Sequence, residues 1–152
     1  MTVEHIYISP ARGERQIEQQ SITVAAGAGI EGDRYFGRLD EPGQNITLVE
    51  AEEIEAFIRE YGHGPDPSIT HRNLVTRGVR LNALVGKEFT VGSVRLRGVE
   101  LCEPCLGLGK ALALPELGPD VVVKRLLHRA GLRADVLTSG VIARGAVIDA
   151  AA

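Results

Sequence analysis

Apolar residues along the chain fall in short alternating runs broken by glycine, at 3–9, 21–25, 46–49, 74–76, 88–91, 94–101, 133–137 and 146–149. Such runs, bounded by turn residues, predict short β-strands. Between the fifth and sixth runs stands Gly92-Ser93, and a glycine able to take a positive φ in a two-residue loop predicts a tight hairpin. Two segments change to the helical period. Ile54, Phe57, Ile58 and Tyr61 recur at helical spacing on 50–60, and Val122, Val123, Leu126 and Leu127 form an apolar face on 120–129. Each stops near a glycine, Gly62 and Gly131. Regular alternation of strands and helices would give a doubly wound sheet, whereas here strands outnumber helices and are joined by short turns. The predicted fold is mainly β, a β-barrel with two or three flanking helices.

With 152 residues, 44% of them apolar and 24% charged, the chain can bury an adequate core, and one domain over 1–152 is expected. A formal net charge of -3 and an aromatic content of 4% offer neither the basic surface nor the stacking platform of a nucleic-acid binder. The first residues lack a basic segment followed by an apolar one, and no apolar run approaches the ~20 residues of a membrane helix. The expectation is a cytoplasmic protein with no nucleic-acid and no membrane partner.

Candidate chemistry concentrates where the hairpin ends. The only two cysteines, Cys102 and Cys105, stand there as Cys-Glu-Pro-Cys. A chain of this length needs no disulfide scaffold, so a close pair has a local or chemical reason. Thiolates act as nucleophiles, redox partners or soft metal ligands, and a pair of small buried residues is the plain alternative. Glu103 opposes thiolate formation, while an arginine folded back from elsewhere would favour it. Zinc could take both sulfurs as half of a tetrahedral site, the other half coming from histidines, carboxylates or a second subunit. A dithiol redox pair would exploit a helix N-terminus, and Leu106-Gly107-Leu108-Gly109-Lys110 begins a poor helix, each glycine costing roughly 1 kcal/mol.

Gly27-Ala28-Gly29-Ile30-Glu31-Gly32 has the spacing of a dinucleotide-binding loop, with Glu50 suitably downstream. The following segment, with Gly37, Pro42, Gly43 and no apolar face, lacks the helix on which a pyrophosphate would rest. A glycine-rich turn, or a loop carrying Asp33 and Arg34 into a site, accounts for it instead. Arg72-Asn73 joins a planar fork for anionic oxygens to a side chain that donates and accepts, and the same dipeptide suits an ion pair beside a turn. His5, His63, His71 and His128 are scattered without metal-ligand spacing, His71 lying beside Arg72.

The ordered set Gly29-Ile30-Glu31-Gly32-Asp33-Arg34, Gln44 to Glu50, Arg72-Asn73-Leu74, Gly86 to Gly92 and Cys102-Glu103-Pro104-Cys105 resembles the MOSC domain, named from the C-terminal domain of molybdenum cofactor sulfurase. The tail, 130–137 and 140–145, continues the resemblance, which suggests a standalone single-domain member. Where the family usually ends with glycine and aspartate, this chain has Gly145-Ala146, read as a turn. The resemblance implies a barrel like that of the pyruvate kinase β-barrel domain. It implies that Cys105 ligates molybdenum of the molybdenum cofactor (molybdopterin) or carries sulfur as a persulfide, with Cys102 second in rank. Arg72 and Asn73 would bind the pterin or its phosphate, Arg34 would add positive charge, and Asp33 would accept a hydrogen bond. The implied activity is reduction of N-hydroxylated compounds, with a small-molecule substrate and an external electron donor, no flavin, haem or iron-sulfur motif being present. The alternatives are a sulfur carrier working with a sulfur donor or acceptor protein, a cofactor-binding module without turnover, and a dithiol redox protein.

Overall fold

The computed structural model describes residues 1–13, 15–63 and 66–150. Its strands are β1 (Thr2–Ile8), β2 (Ile17–Glu18), β3 (Ser21–Ala25), β4 (Gly29–Ile30), β5 (Ile46–Glu50), β6 (Leu74–Arg77), β7 (Glu88–Val91), β8 (Val94–Leu101), β9 (Leu132–Val136), β10 (Gly140–Ala143) and β11 (Ile148–Asp149). The helices are α1 (Ala51–Tyr61), α2 (Leu106–Leu112) and α3 (Pro119–Leu126), with a 3-10 turn at Leu81–Leu84. Eight strands form one sheet in the order β11-β7-β8-β9-β5-β6-β1-β2, and β10-β3-β4 form a smaller one. The large sheet curls into a half-barrel that brings β1, next to its last strand, alongside the turn before β11 and the first residue of β11. Thr2 bridges Val147, Val3 N–H donates to Ala146 O (3.0 Å), and Ile148 N–H donates to Met1 O (2.9 Å). Ile22, Val24, Ile30 and Ile142 of the small sheet share one buried cluster with Ile6, Leu48, Leu74, Phe89, Leu96 and Leu132 of the large one.

Pairing in the large sheet is antiparallel except between β5 and β6, which run parallel with α1 as the crossover. Strand β5 is therefore covered on both faces: Leu48 points into the main core, and Val49 packs with Ala51 and Ile54 under α1. A second cluster, Phe57, Leu108, Leu112, Val122 and Leu126, holds the three helices together. This arrangement fixes the site, because α2 follows the cysteine segment directly and α1 precedes the segment that leads to Arg72.

The predicted strands form within about two residues of their expected ends. The Gly92-Ser93 loop closes the β7–β8 hairpin, with Gly92 at φ 59 and Val91 facing Val94. Gly62, at φ 74, ends α1 as expected. Gly145, at φ 84, lies in the turn expected of it. Three findings differ from the sequence reading. Helix α3 stops at Leu126, and His128, at φ 62, takes the left-handed conformation near its end. Gly131 serves a close approach instead, since a Cβ there would lie 2.1 Å from Leu48 O. The segment after Cys105 forms α2 despite its glycines, because Gly109 packs against α3, where a Cβ would meet Pro119 O at 2.6 Å. No helix follows Gly32, and the segment continues as turns to Gly37.

Candidate functional site

Against the face of β5 and β9 turned away from the main core, beside Thr47, Arg133 and α2, lies a cavity of about 620 Å³ whose lining includes Asp33, Arg34, Arg72, Asn73, Cys102 and Cys105. All six residues singled out in the sequence thus meet at one place, from three separate stretches of chain. Their surroundings give them different tasks.

Cys102 follows the last residue of β8 and is 5% exposed. Its N–H donates to Gly131 O (2.8 Å) and its carbonyl accepts from Arg72 Nη2 (3.2 Å), so its backbone is held on both sides. The next residue extends that anchorage. Glu103 accepts the His128 N–H through Oε1 (2.8 Å) and lies 3.0 Å from His128 Nδ1 through Oε2. The carboxylate between the cysteines is thereby engaged with His128, whose left-handed backbone it helps to hold. After the buried Pro104, Cys105 is exposed and free, at the N-cap of α2 with extended backbone (φ -106, ψ 170). Gly107 leaves the flank of the sulfur bare, since a Cβ there would lie 3.6 Å from Cys105 Sγ. The arrangement presents one accessible thiol on a backbone pinned upstream.

Arg72 acts as a clamp. Nε donates to Ala130 O (2.8 Å), Nη1 to Thr70 O (3.1 Å) and Nη2 to Cys102 O (3.2 Å). Asn73 is a stitch: Oδ1 accepts from Thr47 N–H (3.0 Å) and Thr47 Oγ1 (3.1 Å), and Nδ2 donates to Tyr7 O (3.0 Å). Asp33, 8% exposed, accepts the Ser9 N–H through Oδ1 (2.8 Å) and the Tyr35 N–H through Oδ2 (3.2 Å). Arg34 lays its guanidinium over the Tyr35 ring, 4.8 Å from the centroid, and reaches Tyr35 Oη through Nη2 (3.3 Å). These contacts leave capacity for a ligand, because two of the five N–H donors of Arg72, one amide hydrogen of Asn73 and the remaining lone pairs of Asp33 are uncommitted.

Sequence reading placed His71 beside the site without a task and gave none to Gln16, Gln44, Thr70 or Arg133, all of which line the cavity. Buried polar atoms nearly always have partners. Among the described residues, five buried side-chain atoms have none, and four of them, Gln16 Oε1, Arg34 Nε, Gln44 Oε1 and Thr70 Oγ1, belong to this lining. No local signal could have found Gln16 or Thr70. His71 stands at the rim with φ 59, exposed on one side. Loss of water on its inner side, then the charges of Arg72 and Arg34, hold its imidazole below the usual histidine range, with Asp66 acting the other way. No group of three or more His, Cys, Asp or Glu among the described residues is arranged to hold a metal ion.

The fold and the site define a class: a mainly β protein with a curled sheet and a single accessible thiol in a polar, arginine-lined cavity. A model of the MOSC domain matches residues 34–149, and the chain belongs to that family. Its structure is similar to that of the YuaD protein from Bacillus subtilis, at 22% identity and a TM-score of 0.82 over 97% of this chain and 94% of that one. It is also similar to YiiM from Escherichia coli (16%, TM-score 0.67, covering 100% and 70%) and YiiM from Geobacillus stearothermophilus (17%, TM-score 0.68, covering 97% and 73%). At these identities the likeness is one of fold. No curated protein matches the sequence.

Proposed function

We propose that this chain binds the molybdenum cofactor through Cys105 and reduces N-hydroxylated compounds. The observation that carries the reading is the gathering of four partnerless buried polar atoms around a cavity that also holds the exposed thiol and three arginines. Orphaned donors and acceptors cost about 1–3 kcal/mol each, a cost a polar, anionic ligand would offset. A phosphorylated pterin fits that donor set. Gln16 Oε1, Gln44 Oε1 and the uncommitted lone pairs of Asp33 would accept from its ring N–H groups. Arg34 Nε and the free N–H groups of Arg72 would donate to its anionic oxygens.

When bound, the cofactor would supply the removal of an oxygen atom and the accompanying two-electron exchange. Cys105 would act as the metal ligand, its thiol giving up a proton to become a thiolate. Arg72 would keep the cysteine segment in place through the Cys102 carbonyl, and an external donor would provide electrons. A cytoplasmic site of action belongs to this reading; among the described residues no helix is long and apolar enough to cross a membrane.

The exposure of Cys105 also favours a second reading, persulfide carriage. There the Cys105 thiolate attacks the outer sulfur of a donor persulfide, the S–S bond breaks, and the donor leaves as a thiolate. One assay separates the readings: reduction of an N-hydroxylated amidine by cofactor-loaded protein with a chemical reductant. The reductase reading expects turnover in the parent and in Cys102→Ser, with only background in Cys105→Ser. Equal loss in both variants would point to a dithiol, and no turnover in the loaded parent would leave sulfur carriage.

A further inference from the structure

The lining of the cavity gathers positive charge from Arg34, Arg72 and Arg133, the last of them 3.9 Å from Glu100 Oε1. Among the described residues neither Arg34 nor Arg72 has an ion-pair partner. The two carboxylates in the lining already accept hydrogen bonds, Asp33 from two backbone N–H groups and Glu103 from His128. Arg34 Nε is buried without an acceptor, and Arg72 is locked in place by three carbonyls. His71 lines the same cavity and feels both charges. Its ring makes no described hydrogen bond, and its backbone is held in the left-handed region, where its N–H donates to Ser68 O (3.0 Å). Left-handed backbone at a non-glycine residue costs energy and recurs at ligand sites.

We propose that Arg34, His71 and Arg72 form a binding site for a tetrahedral oxyanion, either the phosphomonoester end of an organic ligand or a free dianion, and that His71 takes up a proton as the anion binds. The physical basis is electrostatic. In the free protein burial first, and then the two guanidinium groups, disfavour the imidazolium, whereas a dianion bound beside them would cancel their potential and offer the ring an acceptor. Binding therefore raises the His71 pKa. Protons are taken up between the free and bound values, so affinity is greatest below the free value, falls as pH rises, and levels off above the bound value. Asp66 faces His71 from the preceding turn. It favours the imidazolium in both states and stays ionised, because hydrogen bonds from Ser68 hold its carboxyl below the usual range.

The site deepens the cofactor reading, since a phosphorylated pterin carries such a group, but it is tested on cofactor-free protein, so the two succeed or fail separately. The probe is sulfate, which keeps its charge across the histidine range, titrated by calorimetry and by NMR of the histidine rings from about pH 5.5 to about 8. The site predicts that sulfate moves the His71 midpoint upward and that affinity weakens by up to about tenfold per pH unit within the window. His71→Asn, which tolerates left-handed backbone, is expected to bind with no pH dependence, at the strength of the parent near pH 8. Arg34→Gln is expected to weaken sulfate at least about tenfold. Phenyl phosphate binding tighter than sulfate at high pH would identify an organic phosphomonoester as the ligand, and equal binding a free dianion. An unmoved His71 midpoint, or a His71→Asn variant keeping the parent's pH slope, would overturn the proposal.

Discussion

Cys102 and Cys105 are identical in chemistry and three positions apart, yet only one meets solvent. The native protein is accordingly expected to react rapidly with one equivalent of a thiol reagent and with the second only on unfolding; Cys105→Ser should lose the fast phase and Cys102→Ser should keep it. Asn73 is the buried counterpart. Truncation to alanine strands the Thr47 N–H and the Tyr7 carbonyl, and a loss of about 2–4 kcal/mol is expected in denaturant unfolding. Tyr7 adds a test by pH. Burial first, then Glu18 and Asp66, push its phenol from 10.0 to about 12. The unfolded chain loses this proton first, so stability should fall as pH rises from 10.0 towards 12, and one tyrosine of three should ionise late in an ultraviolet titration. At this scale the residue types of the site were legible from sequence, but their tasks were not. Arg72 and Asn73 were read by what their side chains could offer a ligand, whereas most of that capacity holds backbone carbonyls and neighbouring strands together.

Elements were easiest to read where periodicity and turn chemistry agreed, as in the β7–β8 hairpin and in α1 with its left-handed Gly62. The two-residue strands β2 and β4 carry too few residues to show a period. Helix α2 was obscured for a different reason. Propensity counts Gly109 against a helix, but tertiary packing requires it, since α2 and α3 approach closely there. Gly109→Ala sets these effects against each other. Alanine gains roughly 1 kcal/mol of helix propensity, whereas its methyl would lie 2.6 Å from Pro119 O and 2.9 Å from Val123 Cγ2. Backbone cannot yield as a flexible side chain can, so the clash should win, with a net loss of about 1–3 kcal/mol by thermal unfolding. Because Cys105 is the N-cap of α2, the same variant should also change the rate of the fast thiol phase.

For the molecule as a whole, separate stretches of chain that mean little alone converge on one cavity, and it was their order along the sequence that made the family legible. The cavity itself was not legible, because Gln16, Thr70 and Arg133 reach it only through the curl of the sheet and the path of its connections. The central claim is that this cavity receives the molybdenum cofactor with Cys105 as the metal ligand. The most direct measurement is the molybdenum and pterin content of protein freshly purified from cells able to supply the cofactor, for the parent and for Cys105→Ser. The account predicts molybdenum near one per chain in the parent and none in the variant. Equal molybdenum in both, or none in the parent despite cofactor supply, would contradict it.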